Sequence, residues 1–513
     1  MTRHTRREYL YGIGATGMAV ASLAPTTEPG LLGWDRPDDA IVHSDDRPSW
    51  IVSVEGDDAD ERADNLSALR DWVASANNRE LIPEREHEGS GVATIISSPS
   101  DIGARNRERW LGDGLQSLSY IDSIELNRSV SLADPLTPES SSAWSSPGPM
   151  QSLLLSTFAD GSPGSSGVAF DSDMDGGEMT NAREATSATA TDLTLPDTSS
   201  VTVAVVDTGV SANGYLEDDS GNTRLLDSST NFVEDGDPSG VGETRDGNGH
   251  GDWVAACYAA NTDDRLRGFL PEANVLACKA LSDAGSGSLS DIAAAIRHAA
   301  DEGADLINLS LGSPQFSQSI EDALSYAVKQ GSIPVAANGN DRQATRWLAF
   351  PASSENAIAV GSTTVDPPED ARSAYYSNVG PHNGYTDLSE GATAGAEPDV
   401  GAPGCKLESA SGDTLTGTSM AGPVAGGVIG LYVADTGTTD LETVRDELTA
   451  TAEPIPNAAS EEIGAGMPNA ENLLSGTEPD EPQEDAVTTE AASRGAAYDF
   501  LSGSRYTRLI ANF

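Results

Sequence analysis

Between residues 201 and 361, short apolar runs of β character alternate with helical stripes, and this alternation admits few architectures. The runs cover 201–206, 274–280, 306–311, 333–337 and 357–361. Between them, Leu289, Ile292, Ala293, Ile296 and Ala300, and then Ile320, Ala323, Leu324, Ala327 and Val328, recur at helical spacing on one face. Strands apolar on both faces, joined by one-sided helices, predict an α/β fold with a mainly parallel central sheet between two helical layers. In such a sheet, functional groups collect at the carboxyl ends of the strands.

The chemistry-bearing residues fall at those ends. Hydrolysis of an amide by a serine needs an attacking hydroxyl, an imidazole to take its proton, a carboxylate to orient the imidazole, and donors for the oxyanion. Asp207 closes the first run in Val205-Val206-Asp207-Thr208-Gly209-Val210, where Gly209 permits a sharp turn. His250 lies in the Gly-rich stretch Asp246-Gly247-Asn248-Gly249-His250-Gly251-Asp252-Trp253, at the start of a helical pattern. Ser419 lies in Thr416-Gly417-Thr418-Ser419-Met420-Ala421-Gly422-Pro423, before a run of small residues. Proline suits a first helical turn, and a helix amino terminus aims N–H groups at developing negative charge. Taken singly, Asp207 also reads as a turn residue, His250 as a loop histidine and Ser419 as a helix cap. The set as a whole favours the catalytic reading.

In the order Asp, His, Ser these motifs resemble the subtilisin-type serine peptidases, in particular the halophilic, halolysin-like members. The similarity runs from Val201 to about residue 470, ending on Gly464-Ala465-Gly466-Met467-Pro468-Asn469-Ala470. It implies a subtilisin-like three-layer fold and a triad of Asp207, His250 and Ser419. It also implies Asn340, in Val335-Ala336-Ala337-Asn338-Gly339-Asn340, as an oxyanion donor. Ser310, Leu311 and Gly312 would border the primary specificity pocket on one side, with Ala337 and Gly339 on the other. The sequence departs from the family pattern at Asp252 and Trp253, where Thr and His are usual, and at Val424, where His is usual. Asp252, if close to His250, would raise the histidine's pKa. Ala349, before Phe350-Pro351, stands where a glycine is usual at the pocket base and implies reduced depth.

The amino terminus carries Thr5-Arg6-Arg7-Glu8-Tyr9-Leu10 ahead of an uncharged Gly/Ala-rich run, with Ala19-Val20-Ala21 as a small-x-small cleavage pattern. This resembles a twin-arginine export signal, here 1–21, and implies a secreted product with no stable membrane anchor. Residues 22–133 hold strand-like runs at 49–54, 91–96 and 120–126 and a helical stripe over 59–76. They predict a small α+β module, and the resemblance implies a ferredoxin-like propeptide acting as intramolecular chaperone and inhibitor. An unrelated accessory domain is the alternative. From about 133 to 200 the chain is rich in Ser, Gly, Pro and Asp and reads as linker and irregular surface, with 134–175 as the linker proper. The catalytic domain is expected over 176–475, and an acidic linker and tail over 476–513.

Charge narrows the partners. Asp and Glu number 81 against 29 Lys and Arg, a formal net charge of -52, and the only lysines are Lys279, Lys329 and Lys406. No basic face exists for phosphate contact, so nucleic acid is excluded as a partner. The acids are spread over every segment, which predicts a solvated acidic shell suited to high salt. The expected partners are polypeptide substrates and the chain's own propeptide, with the enzyme a monomer. No cofactor is needed for the chemistry; a structural calcium is an option at Glu234, Asp235 and Asp237. Cys257, Cys278 and Cys405 allow at most one disulfide and read by default as small buried hydrophobes. Two rival readings stand beside the main one. Asp435-Thr436-Gly437 is a second Asp-Thr-Gly, as an aspartic peptidase would carry. The other rival is a weakened or inactive subtilase fold serving as an acidic binding protein.

Overall fold

The computed structural model describes residues 40–132, 168–169 and 174–479, with breaks at 44–46, 57, 103–104, 107–108, 111–113, 190–192, 234–239, 314, 343–347, 381–396 and 457. The export-signal motif, the Glu234/Asp235/Asp237 cluster, most of the 134–175 linker and the tail beyond 479 lie outside the described residues.

The first part of the chain runs β1 (Ser49–Val54), α1 (Ala59–Ala74), β2 (Glu80–His87), β3 (Val92–Ile96), a single turn α2 (Pro99–Ile102) and β4 (Ile121–Leu126). The strands form one antiparallel sheet in the order β2-β3-β1-β4. Asp58 caps α1 by accepting from Glu61 N at 2.9 Å, and the apolar stripe Leu66, Leu69 and Val73 buries against Trp50, Val52, Ala93 and Ile95. Strand β2 was not visible in the sequence. Its charges and Pro83 are tolerated because it occupies the sheet edge, where a missing ladder donor costs little. The opposite sheet face carries Ile51 and Val92 into a second core described below.

A short strand, β5 (Ser129–Ser131), follows. The larger sheet then begins with β6 (Thr202–Asp207), followed by α3 (His250–Ala259), β7 (Asn274–Lys279), a short edge strand β8 (Ser286–Ser288), α4 (Leu289–Asp301), β9 (Leu306–Leu309), α5 (Gln318–Gln330), β10 (Ile333–Ala337), β11 (Ile358–Thr363), β12 (Val400–Pro403) and α6 (Thr418–Thr436). Strands β7-β6-β9-β10-β11-β12 pair in parallel in that order. Alternation along β6 divides the core. Val203 and Val205 face α3 and α6 with Trp253, Val254, Met420 and Val424. Ala204 and Val206 face α4 and α5 with Ile292, Ile296, Ile320 and Ala323. The result is three layers, helix on sheet on helix, as the sequence pattern predicts.

The expected irregular surface before residue 200 holds regular structure, including the two-residue strands Val168–Ala169 and Gly177–Glu178. Met179–Ala185 is a helix with Met179 and Ala182 in the core, and its Arg183 pairs with Asp264 at 2.9 Å. Seven residues are too few for a periodic stripe to stand out. Strand order reverses at β6, which pairs with β7 on one side and β9 on the other. The carboxyl end of β6 is therefore the switch point of the sheet, where a crevice opens between diverging connections.

Candidate active site

Asp207 is the last residue of β6 and is fully buried. Its carbonyl accepts from Ala280 N at 2.9 Å and Leu281 N at 3.1 Å, while Thr208 N donates to its Oδ1 at 2.7 Å. The chain then turns at Gly209, whose φ of +118° belongs to glycine. Gly251 approaches from α3, and a Cβ there would stand 2.0 Å from the Gly209 carbonyl oxygen. Only glycine lets the strand end and the helix start come this close. Beneath them the buried Lys279 ammonium donates to the Thr208 carbonyl and pairs with Asp283 at 2.8 Å.

His250 opens α3 after Gly249, which has a left-handed φ of +100°. Asp246 takes the place of a helix cap. Its Oδ1 accepts from Asn248 N at 2.8 Å and Gly249 N at 3.0 Å, and its Oδ2 from Asp252 N at 2.8 Å. The imidazole Nδ1 lies 2.7 and 2.9 Å from the two Asp207 carboxylate oxygens. Burial disfavours charge on this imidazole, but the adjoining, hydrogen-bonded Asp207 carboxylate and then Asp246 outweigh it, and the pKa is raised. Nε2 is buried without a hydrogen-bond partner.

Ser419 is the second residue of α6. Its main chain is located by a relay of buried side chains. Tyr258 OH donates to Asn308 Oδ1 at 3.1 Å, Asn308 Nδ2 to Ser310 Oγ at 2.9 Å, and Ser310 Oγ to the Ser419 carbonyl at 2.8 Å. The Ser419 hydroxyl donates to the Ser310 carbonyl at 3.2 Å rather than to His250. Asn340 lies across from it. Its Oδ1 accepts from both Thr418 N and Thr418 Oγ1 at 2.9 Å, and its Nδ2 lies 3.3 Å from where a Cβ on Gly417 would be. With the carbonyl end held twice, the amide N–H₂ is left to face the helix amino terminus.

The five residues expected at the pocket lie in two chain segments leaving adjacent strands. Ser310, Leu311 and Gly312 follow β9. Ala337 ends β10 and Gly339 follows it, donating from its N–H to Thr418 Oγ1 at 3.1 Å. Asp246, Thr418 and the Tyr258–Asn308 pair were not singled out from sequence. For Asp246 a signal exists, an aspartate three residues before a glycine-initiated helix.

Residues 198–472 match the family model described as the subtilase family. That is more than half of the chain. The chain belongs to the subtilase family. It is 36% identical over 278 residues to "M-protease" of Shouchella clausii (strain KSM-K16), covering 53% of this chain and 64% of that protein. It is 35% identical over 278 residues to "Subtilisin Savinase" of Lederbergia lenta, covering 53% of this chain and 90% of that one. A third relative is the "Halolysin-like extracellular serine protease Nep" of Natrialba magadii, 36% identical over 286 residues, 55% of this chain and 48% of that protein. The chain spans less than two thirds of the length of M-protease and about half that of the Nep protease.

The departures of this subtilase from the family pattern are now legible. Asp252 does not act on His250 as the sequence suggested. Its Oδ1 accepts from Ser211 N at 2.7 Å, and burial raises its own pKa; the acid that favours the imidazolium after Asp207 is Asp246. Trp253 is fully buried and donates from Nε1 to the carbonyls of Leu407 at 3.2 Å and Asp413 at 3.1 Å, bolting that segment to α3. Val424 is core on α6. Asp435 is exposed at the far end of the same helix, away from Asp207, so the two Asp-Thr-Gly motifs cannot share a proton. Cys257, Cys278 and Cys405 are buried free thiols. Among the described residues no group of three or more His, Cys, Asp or Glu could hold a metal ion.

Proposed function

We propose that this subtilase is an exported, salt-adapted endopeptidase that cleaves peptide bonds through Ser419, His250 and Asp207. The observation that carries the reading is the buried Asp207–His250 pair at the switch-point end of β6, its Nε2 without a protein hydrogen-bond partner, on a helix that shares a core with the helix opening on Ser419. Rotation of the Ser419 hydroxyl from the Ser310 carbonyl toward Nε2 completes the proton path. Asp207 holds the imidazole tautomer and steadies the imidazolium formed when Oγ attacks the scissile carbonyl. The oxyanion is met by Asn340 Nδ2 and by the N–H groups at the start of α6. The imidazolium then returns its proton to the leaving amine, and water repeats the cycle on the acyl-enzyme. A Ser419→Ala protein that still hydrolyses casein in high salt would refute this; abolished hydrolysis with an unchanged fold is the expected result. The rival reading, an inactive binding protein, draws on the Ser419 hydroxyl resting on Ser310, and the same assay on the unaltered chain separates the two.

The first module supports a propeptide role. Its sheet order β2-β3-β1-β4, with α1 after β1 and the turn α2 after β3, supports reading it as a ferredoxin-like unit. The module covers the helical layer of the larger sheet. Glu125 accepts from Ser317 Oγ and Ser319 N at 3.0 Å each, and Asn127 Oδ1 accepts from Ser290 N at 3.1 Å, so the starts of α5 and α4 are completed from outside. Arg85 pairs with Asp291 at 2.7 Å, and His87 with Asp301 at 2.8 Å. Such a module can template α4 and α5 while its tail obstructs the cleft. Export rests on the twin-arginine motif, and no helix among the described residues is long and apolar enough to cross a membrane. Salt adaptation rests on the net charge of -52, whose self-repulsion is relieved by screening.

A further inference from the structure

The helices that open on His250 and on Ser419 meet across an apolar core. Trp253 and Val254 of α3 and Met420, Val424 and Val428 of α6 belong to one buried cluster. Apolar burial is non-directional: it keeps the helices together without fixing how far one slides or turns against the other. Tyr258 puts a polar group into this core. It lies on α3 about two turns beyond His250 and is fully buried.

Its place is made by a notch in α6. A Cβ built on Gly426 would stand 1.9 Å from the Tyr258 hydroxyl oxygen and 2.8 Å from Cζ, so no larger residue fits there beside the tyrosine. Glycine inside a helix weakens it, and here the close approach explains its presence. Seated against the notch, the hydroxyl reaches Asn308 of β9 and donates to Oδ1 at 3.1 Å. The donors then run in one direction, from Asn308 Nδ2 to Ser310 Oγ and from Ser310 Oγ to the Ser419 carbonyl. Hydrogen bonds in such a series polarise one another, and each is directional where the apolar contacts are not. The run begins on the helix opened by His250 and ends on the main chain of Ser419.

Resting on the peptidase reading above, we propose that Tyr258 is a positioning residue: its hydroxyl, acting through Asn308 and Ser310, sets the register of the Ser419 helix against the His250 helix. The Ser419 carbonyl fixes where Oγ and the first N–H groups of α6 stand, and misplacing a reacting group by about 1 Å can cost about 100-fold in rate. Loss of the hydroxyl leaves Asn308 Oδ1 buried without that donor and releases the run of bonds at its origin. The effect therefore falls on the geometry of attack and not on substrate binding.

The test uses the full chain, allowed to mature in high salt, with its active serines counted by a serine-directed phosphonylating reagent so that misfolded protein does not enter the rate. Tyr258→Phe keeps the ring and removes the hydroxyl. Its kcat per titrated site on a chromogenic peptide is expected to fall about 2- to 12-fold, the worth of one hydrogen bond, with KM little changed. Ser310→Ala cuts the same run at its other end and keeps the Ser310 carbonyl. A double variant no slower than the slower single variant is expected, because both changes break one connection; independent packing effects would multiply. Gly426→Ala, which crowds the hydroxyl instead of removing it, should show the same kcat loss, and it gives the reading if Tyr258→Phe yields no titratable site. Fewer titratable sites with a native kcat per site, or losses that multiply in the double variant, would make Tyr258 a packing residue and overturn the proposal while leaving the peptidase reading intact. An unaltered chain with neither a titratable serine nor hydrolysis would overturn the peptidase reading itself.

Discussion

Asn340 offers the sharpest quantitative test of how the site stabilises charge. Its side-chain oxygen is held by two bonds from Thr418, each 2.9 Å, so its N–H₂ is aimed before substrate arrives. Replacing Asn340 with Ala removes the donor and is expected to lower kcat about 100- to 1,000-fold with little change in KM, because the donor meets charge that exists only in the transition state. Thr418→Val keeps the donor but removes the Oγ1 anchor. A neutral hydrogen bond contributes about 0.5–1.5 kcal/mol, so a loss of about 2- to 12-fold is expected there. Asn340→Asp keeps both acceptor contacts but substitutes a carboxylate for the donor, and should be no more active than the Ala variant. Initial rates on one fluorogenic peptide, normalised by active-site titration, measure all three. A kcat for Asn340→Ala within tenfold of the native value, or a loss confined to KM, would refute the assignment.

Other expectations follow from the same geometry. The base form of His250 is the working form, so activity falls as pH drops through its raised pKa; Asp246→Asn removes a charge that favours the imidazolium and should move the acid limb of the kcat/KM profile to lower pH. An unmoved limb would mean that Asp246 acts only as a cap. Dilution of salt should reduce activity reversibly, since screening offsets repulsion within a chain of net charge -52, and full activity after desalting would contradict the acidic-shell reading. Ser419→Ala should accumulate as an uncleaved precursor. Normal processing of the Ser419→Ala protein would rule out self-maturation.

The sequence revealed most where one physical signal dominated. The runs at 201–206, 274–280 and 333–337 are buried on both faces, so continuous apolarity marked them, and the helical stripes at 289–300 and 320–327 face a single core. Short or polar strands gave no such signal. Glu80–His87 reads as a charged loop until its edge position is known, and Val400–Pro403 is too short and proline-ended to stand out. In the site, Gly209 was legible as a sharp turn and has a φ of +118°, whereas the close approach of Gly251 to it was not read from the sequence. Side-chain direction was not legible. Asp252 sits two residues from His250 in sequence, yet it is turned to Ser211, while Asp246, four residues away, acts on the imidazole. The role of Thr418 in holding Asn340 depends on two distant segments meeting, which local sequence does not encode.

The central claim is that Ser419 is the nucleophile, and covalent labelling tests it most directly. The matured protein in high salt would be treated with a serine-directed phosphonylating reagent, its residual activity measured, and the adduct located by peptide mass mapping. Inactivation in step with one adduct per chain, carried on Ser419 and absent when His250 is changed to Ala, is the predicted result. Full inactivation with the adduct on another residue, or undiminished hydrolysis after Ser419 is labelled, would contradict it.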